Sequence, residues 1–269
     1  MEFSEIEVIV DGPRADITLN RPDKLNPLGA TTLTELVDAA CHLDTLPAVK
    51  AVVVAGRGRA FSAGADLAAF APAPANGRDD AAPAQSFAAV AREAADAGRR
   101  MAEAIEAMRA VTIARIHGHC VGGAVVLAAA CDLRVAADDT RFSIPELDLG
   151  IPLAWGGIPR LVREIGPART KELVMTCRPF GAAEALAAGF LNQVVPASGL
   201  DAAVDQLVGL LVSKSTLGLT ATKRHTNAVT EGMVGTARAW NDADSLVTAL
   251  HDPESLAAAR AYLAGLGRG

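Results

Sequence analysis

A chain of 269 residues, 51% of them apolar, carries enough hydrophobic material for one large core, or a core with a helical appendage. A formal charge of −6, from 31 acidic against 25 basic side chains, argues against nucleic acid as a main partner and leaves room only for a local basic patch. Four cysteines without CxxC spacing, an acidic start with no apolar leader, and no apolar run near the roughly 20 residues a bilayer requires predict a soluble, cytoplasmic protein with buried, reduced thiols and no membrane partner.

Two β-rich runs, 6–10 and 15–19, flank Asp11-Gly12-Pro13-Arg14 and predict a hairpin. Residues 20–28 form a polar loop with two prolines. Leu33, Leu36, Val37 and Ala40 then recur at helical spacing, ending before Pro47. Residues 51–55 lack polar alternation and read as a strand buried on both faces. Phe61-Ser62-Ala63-Gly64-Ala65-Asp66-Leu67 follows as a glycine-bearing turn, and residues 70–83, rich in Ala, Pro, Gly and Asp, read as a mobile insertion. A helix is predicted over about 86–109, with Met101, Ile105 and Met108 on one face. Strand 113–117, a helix over 123–130 opened by Val121-Gly122-Gly123, and strand 133–136 form a βαβ-like unit, followed by a short strand at 141–144. Beyond Trp155 the pattern is almost wholly helical: 158–165, 168–175, 182–188, 200–213, and on to the end. Alternating elements followed by helices predict an α/β core over 1–195 and a C-terminal helical subdomain over 196–269.

The two glycine turns each place free backbone N–H groups where a strand passes into a helix. Alone, each also fits a tight turn that needs small residues; aimed at one point, the two would stabilise a developing oxyanion. Position 126 lies one helical turn beyond Gly123 on the same face, and it is valine where a carboxylate would serve chemistry. His117 and His119 could share a strand face, but no third ligand stands at metal spacing, so no metal is expected. Ser62 lacks the GxSxG elbow of a serine nucleophile. Gly122-Gly123 lacks the third glycine and the distant acid of a dinucleotide fingerprint.

Taken in order, Asn20-Arg21-Pro22-Asp23-Lys24-Leu25-Asn26-Pro27-Leu28, Ala60 to Leu67, Gly122-Gly123, Cys131-Asp132-Leu133-Arg134-Val135-Ala136, Ser143-Ile144-Pro145-Glu146-Leu147-Asp148-Leu149-Gly150, Trp155-Gly156-Gly157-Ile158-Pro159-Arg160-Leu161 and the run from Ala182 to Pro196 resemble the crotonase family, the enoyl-CoA hydratases and isomerases. The resemblance covers nearly the whole chain. It implies an α/β spiral of ββα units, and a trimer or dimer of trimers whose C-terminal helices pack on a neighbouring subunit and help wall the pocket. It also implies a coenzyme A thioester as substrate, no permanently bound cofactor, and a place in fatty-acid or related acyl-CoA metabolism.

Carried over position by position, the resemblance makes the amides of Ala65 and Gly123 the oxyanion hole and Glu146 the catalytic carboxylate. It makes Lys24, Leu25, Ala63, Asp66, Leu67, His119 and Val126 substrate- or CoA-binding positions, with a loop-ordering hydrogen bond expected at Asp66. Lys24, Arg57 and Arg59 flank the predicted mouth, and Lys223 and Arg224 are candidates for the CoA phosphates. Hydratases carry at position 126 one of two glutamates that hold and activate water; here it is Val126. Glu146, set among apolar groups, is expected to be partly desolvated with a raised pKa. One carboxylate suffices to move a proton between carbons, the Δ3–Δ2 isomerase pattern, in which this position is also apolar. Leu153-Ala154 replaces the Pro-Gly of many hydratases. The expected function is therefore an acyl-CoA enzyme with a single general base, most like Δ3–Δ2-enoyl-CoA isomerisation. A hydratase or lyase with atypical water activation, and a non-catalytic acyl-CoA binding protein, are the alternatives.

Overall fold

The computed structural model describes residues 2–66, 84–239 and 241–266. The predicted hairpin forms: β1 (Ile6–Asp11) pairs antiparallel with β2 (Arg14–Leu19), from Ile6 opposite Leu19 to Asp11 opposite Arg14. From β2 onward neighbouring strands of this sheet run parallel, which requires a crossover between each pair. Helix α1 (Ala30–Asp44) leads to β3 (Ala51–Gly56), and α2 (Ala84–Ala107) leads to β4 (Val111–Ile116). The short strand β5 (His119–Val121) and α3 (Gly123–Ala130) then lead to β6 (Leu133–Ala137). With β9 (Gln193–Val195) the sheet reads β1-β2-β3-β4-β6-β9. A second sheet, β5-β7-β8, uses β7 (Arg141–Ser143) and β8 (Phe180–Gly181). Strands β5, β8 and β9, of two or three residues each, were not anticipated.

Alternate residues of the parallel strands enter two cores. Val52, Val54, Ala114, Ile116 and Ala136 face α1, α2 and α3, all eight residues of which are buried. Ala51, Val53, Ile113, Val135 and Ala137 face the other way, under Leu200, Ala203, Val204 and Val208 of α6 (Leu200–Val212). Helix α6 thus closes the second face of the sheet. The helices expected at 158–165 and 168–175 lie within α4 (Gly157–Thr176), broken at Gly166 (φ +74°) just before Pro167. α5 (Ala182–Ala187), α7 (Thr216–Met233), α8 (Asp242–Ala249) and α9 (Pro253–Leu266) complete the chain. Of the cysteines, Cys120, Cys131 and Cys177 are buried, but Cys41 is exposed, on the outer face of α1.

The last helices fold back over their own chain. α8 lies against α2, with an Arg92–Asp244 ion pair, and Asp242 Oδ2 accepts the Gly156 N–H at 2.9 Å. The start of α9 abuts the turn at Gly150, where an added Cβ would overlap the Ser255 backbone. Through these contacts α8 and the start of α9 pack on α2, Gly156 and the Gly150 turn of the same chain. The expectations for residues 70–83 and for Leu67 lie outside the described residues.

Between β2 and α1 the chain makes a 3-10 turn (Pro22–Lys24) followed by two left-handed residues, Leu25 (φ +61°) and Asn26 (φ +53°). Asparagine tolerates that conformation better than most residues. Its side chain is buried and fully used: Nδ2 donates to Arg57 O and Ala60 O, each at 2.9 Å, and Oδ1 accepts the Arg21 N–H at 2.9 Å. Asn26→Ala strands those buried groups, and at about 1–3 kcal/mol for each orphaned group urea unfolding is expected to show a loss of about 2–4 kcal/mol. A loss under about 0.5 kcal/mol, the range of neutral surface changes, would mean that water replaces the amide at no cost.

Candidate active site

The two glycine turns meet edge to edge. Ser62 N–H donates to His119 O (3.0 Å) and Val121 N–H donates to Ser62 O (3.2 Å), a parallel bridge between Ser62 and Cys120. On its other side the first turn is strapped to the 25–28 loop: Ala63 N–H donates to Leu25 O (2.8 Å), Leu28 N–H to Gly64 O (2.7 Å) and Asp66 N–H to Leu28 O (3.2 Å). Ser62 Oγ donates to Asn26 O (2.7 Å) and accepts the Gly64 N–H (3.1 Å). Gly64 (φ +86°) approaches the second turn so closely that an added Cβ would lie 3.4 Å from Gly123 N and overlap Val121 O. Gly122 (φ +52°) donates its N–H to Ser143 O at 2.9 Å. Among the described residues of these turns the amides of Ala65, Gly123 and Ala124 have no acceptor, and Ala65 and Gly123 line a common cavity. Gly123 is also the first residue of α3, where the helix dipole favours negative charge.

Ala65, Gly123, Val126 and Glu146 line one cavity of about 40 Å³, with Ile151, Leu153, Trp155 and Leu246 among the other walls. Its volume fits roughly three water-sized bodies. Glu146 as a residue is half-buried, yet its Oε2 is sealed from solvent and has no hydrogen-bond partner. That desolvation pushes its carboxyl up from 4.5 to about 7, with only its own backbone N–H acting the other way. Val126 is fully buried and lines the cavity, as helical geometry predicts from Gly123. Among the described lining residues, Glu146 is the one side chain that can accept and return a proton. Larger hollows of about 660 and 390 Å³ lie elsewhere, and neither includes the glycine turns or Glu146.

Trp155 was not singled out from sequence, although an aromatic residue before Gly156-Gly157 was the available signal. Its backbone is left-handed (φ +62°), as is that of Gly156 (φ +68°). For a bulky residue that conformation costs roughly 1–2 kcal/mol. Arg160, 1% exposed, holds it: Nη1 donates to Trp155 O (3.4 Å) and Gly156 O (3.2 Å), while Nη2 donates to Glu106 Oε2 (2.6 Å). Leu246, from α8, is the other cavity residue that no motif indicated.

The remaining expected residues are spread around this centre. Asp66 pairs with Arg21 at 3.2 Å, between the first glycine turn and the 20–28 loop. Lys24 is exposed at the end of the 3-10 turn, and Leu25 and Ala63 hold each other through their backbones, but none of the three lines the cavity. The imidazole of His119 is exposed at the start of β5, also outside that lining, and its carbonyl makes the bridge to Ser62. Lys223 departs from expectation. It is buried on α7, with Nζ donating to Asp132 Oδ2 (2.7 Å) and Ala110 O (3.0 Å), so it pins the helix to the sheet. Arg57 pairs with Glu7, while Arg59 and Arg224 are exposed. His117 faces Gly58 O through Nε2 (2.8 Å) and the Arg115 guanidinium through Nδ1 (3.1 Å), and burial lowers its pKa. Both contacts suit a neutral ring that donates from Nε2. Among the described residues no three His, Cys, Asp or Glu side chains are grouped to hold a metal, and no helix is long and apolar enough to cross a membrane.

Comparison with known proteins gives a consistent picture. The family profile described as "Enoyl-CoA hydratase/isomerase" matches residues 14–263. A protein named crotonyl-CoA hydratase from Syntrophomonas wolfei is 34% identical over 235 residues, covering 87% of this chain and 84% of that protein. A peroxisomal Delta(3,5)-Delta(2,4)-dienoyl-CoA isomerase from Arabidopsis thaliana is 32% identical over 228 residues, covering 82% and 81%. Among solved structures, a putative enoyl-CoA hydratase from Thermobifida fusca, in complex with acetoacetyl-CoA, superposes with a TM-score of 0.75 at 31% identity, covering 89% of this chain and 93% of that one.

The raised carboxyl of Glu146 has a consequence for stability. Unfolded, the group titrates near its ordinary 4.5; folded, near 7, so between these values the native state holds the extra proton and stability falls as pH rises. Glu146→Gln removes that liability. Urea unfolding at pH 8 is expected to show the variant more stable by up to about 3 kcal/mol, with the difference vanishing towards pH 4.5. A difference independent of pH would mean that the carboxyl is solvated.

Proposed function

Because the chain belongs to the enoyl-CoA hydratase/isomerase family, within the crotonase superfamily, we propose that its reaction is the isomerisation of a 3-enoyl-CoA to a 2-enoyl-CoA. The observation that carries this reading is the lone, sealed carboxyl of Glu146 facing a cavity in which Val126 stands where a second acid would be. The thioester oxygen accepts hydrogen bonds from the Ala65 and Gly123 amides, which stabilise the enolate by roughly 3 kcal/mol each, by analogy with other oxyanion holes. Ionised Glu146 removes a proton from the α-carbon, the double bond migrates, and the same carboxyl returns the proton at the γ-carbon. No net proton leaves the site, so one base completes the cycle.

Hydration asks more of the same walls. Water has to be oriented and deprotonated by one group while a second helps deliver the proton, and Val126, Leu153 and Leu246 offer nothing for that purpose. Hydration is nevertheless the second reading, since a protein named crotonyl-CoA hydratase is among the relatives. The dienoyl-CoA isomerase among them supports proton shuttling on this scaffold, and the acetoacetyl-CoA complex of a related structure supports a CoA thioester as substrate. We assign Lys24 and Leu25 to the coenzyme side, because their loop is strapped directly to the oxyanion turn.

Incubation of the protein with a 3-enoyl-CoA and, separately, a 2-enoyl-CoA, with products identified by mass and NMR, tests the assignment. Isomerisation is expected to exceed hydration, with kcat/KM rising with pH to a plateau and half-maximal near 7, where Glu146 ionises. Glu146→Gln is expected to abolish turnover while acyl-CoA binding persists. Faster hydration than isomerisation in the unaltered protein would refute the reading. Val126→Glu restores a second acid beside the first and is expected to raise hydration roughly tenfold or more, at some cost in stability, against the 10²–10⁴ that a well-placed acid–base group supplies. An unchanged hydration rate and pH profile would show that position 126 has no access to the substrate.

A further inference from the structure

The proton transfer derived above makes no use of Trp155, the largest side chain lining the Glu146 cavity. Its ring lies in a gap that two helices leave open for it. An added Cβ on Gly123 of α3 would overlap the Cζ3 edge of the indole, and one on Gly98 of α2 would overlap the Cδ2–Cε2 bond. The ring therefore spans from α2 to α3 and lies against the residue whose amide binds the thioester oxygen. Behind it the packing is tight: an added Cβ on Gly157 would come within 2.9 Å of both Leu153 and Val126 Cγ2. Leu246 of α8 and Ile151 are the other apolar walls.

A side chain that merely fills a core does not require a left-handed backbone. Trp155 is held in one by the buried Arg160, which grips the carbonyls of both residues 155 and 156 and is itself anchored to Glu106. Backbone strain kept in place by a dedicated clamp marks a position where the side chain's direction matters. That direction puts the indole on the wall of the cavity, as its largest side chain. The space left beside Glu146, about 40 Å³, has room for roughly three small groups, enough for the reacting carbons and little more.

We propose that Trp155 determines acyl-chain specificity: its indole closes the acyl pocket past the reacting carbons and restricts the protein to short-chain acyl-CoA substrates, of the butyryl to hexanoyl class. The assignment rests on the acyl-CoA reading above, but not on whether the reaction is isomerisation or hydration.

Saturated acyl-CoAs separate pocket length from chemistry. Calorimetric titration of the full-length protein with butyryl-, octanoyl- and dodecanoyl-CoA is expected to show affinity that is flat or falling beyond butyryl-CoA. In Trp155→Ala the pocket is opened, and affinity is expected to climb with length by up to about fourfold per methylene that finds apolar cover. Trp155→Leu keeps an apolar filler, guards against loss of folding in the alanine variant, and is expected to lie between the two. An unaltered protein whose affinity climbs steadily to dodecanoyl-CoA would overturn the proposal, and so would two folded variants that keep the parent's length profile. No binding of any acyl-CoA to the parent protein would instead overturn the thioester reading and this assignment with it.

Discussion

The parallel bridge between Ser62 and Cys120 joins two turns that belong to different strand–helix units, one after β3 and one after β5. Two backbone hydrogen bonds are modest in net free energy, about 1 kcal/mol each, yet here they fix the separation of Ala65 and Gly123. In the proposed reaction that separation matters, because an oxyanion is stabilised only by donors already in place when the charge develops. The neighbouring groups reinforce it. The Ser62 hydroxyl, the Asn26 amide and the Leu25 and Leu28 backbones take up the surrounding donors and acceptors, and the two amides remain free at the cavity.

Glu146 completes the site at an energetic cost. A carboxyl with an oxygen sealed from water and unpartnered among apolar walls is destabilising when ionised. The same burial that weakens the fold moves the carboxyl to about 7, where it can both take and return a proton near neutral pH. Trp155 repeats the theme in the backbone, with a left-handed aromatic residue held by a buried arginine. Both liabilities fall within the segment 146–157 and face one cavity, the pattern expected where local stability has yielded to function.

The C-terminal helices are not equivalent. Helix α6 is part of the core, since without it the second face of the parallel strands would be bare. Helix α7 is pinned by the Lys223–Asp132 pair, which also engages Thr112 on β4. Helix α8 reaches the site itself, through Leu246 in the cavity wall and Asp242 on the amide of Gly156. One wall of the cavity, Leu246, thus lies about 100 residues in sequence from Glu146.

Much of this was readable in the chain before folding. The β-branched runs at 51–55 and 113–117, the helical spacing from Leu33 to Ala40 and the all-apolar stretch 123–130 are local patterns, and local patterns persist in the structure because each element's period fixes which residues it buries. The paired glycine turns and the face on which Val126 lies were also visible, because backbone conformation and helix-face geometry are set by near neighbours in sequence; that an acid is missing there came from the family resemblance. The rest depended on groups brought together from far apart. The exposure of a carboxyl is a property of whatever packs around it, so the sealed Oε2 of Glu146 could be expected in kind but not in degree. Lys223 read as a candidate for the CoA phosphates because nothing near it in sequence names Asp132 as its partner. Trp155 was not singled out because its clamp (Arg160 and Glu106) and its seat (Gly98 and Gly123) come from three helices, α4, α2 and α3. Local order follows from the residue alphabet along the chain; the shape and polarity of a cavity follow from which distant surfaces the burial of apolar area forces together.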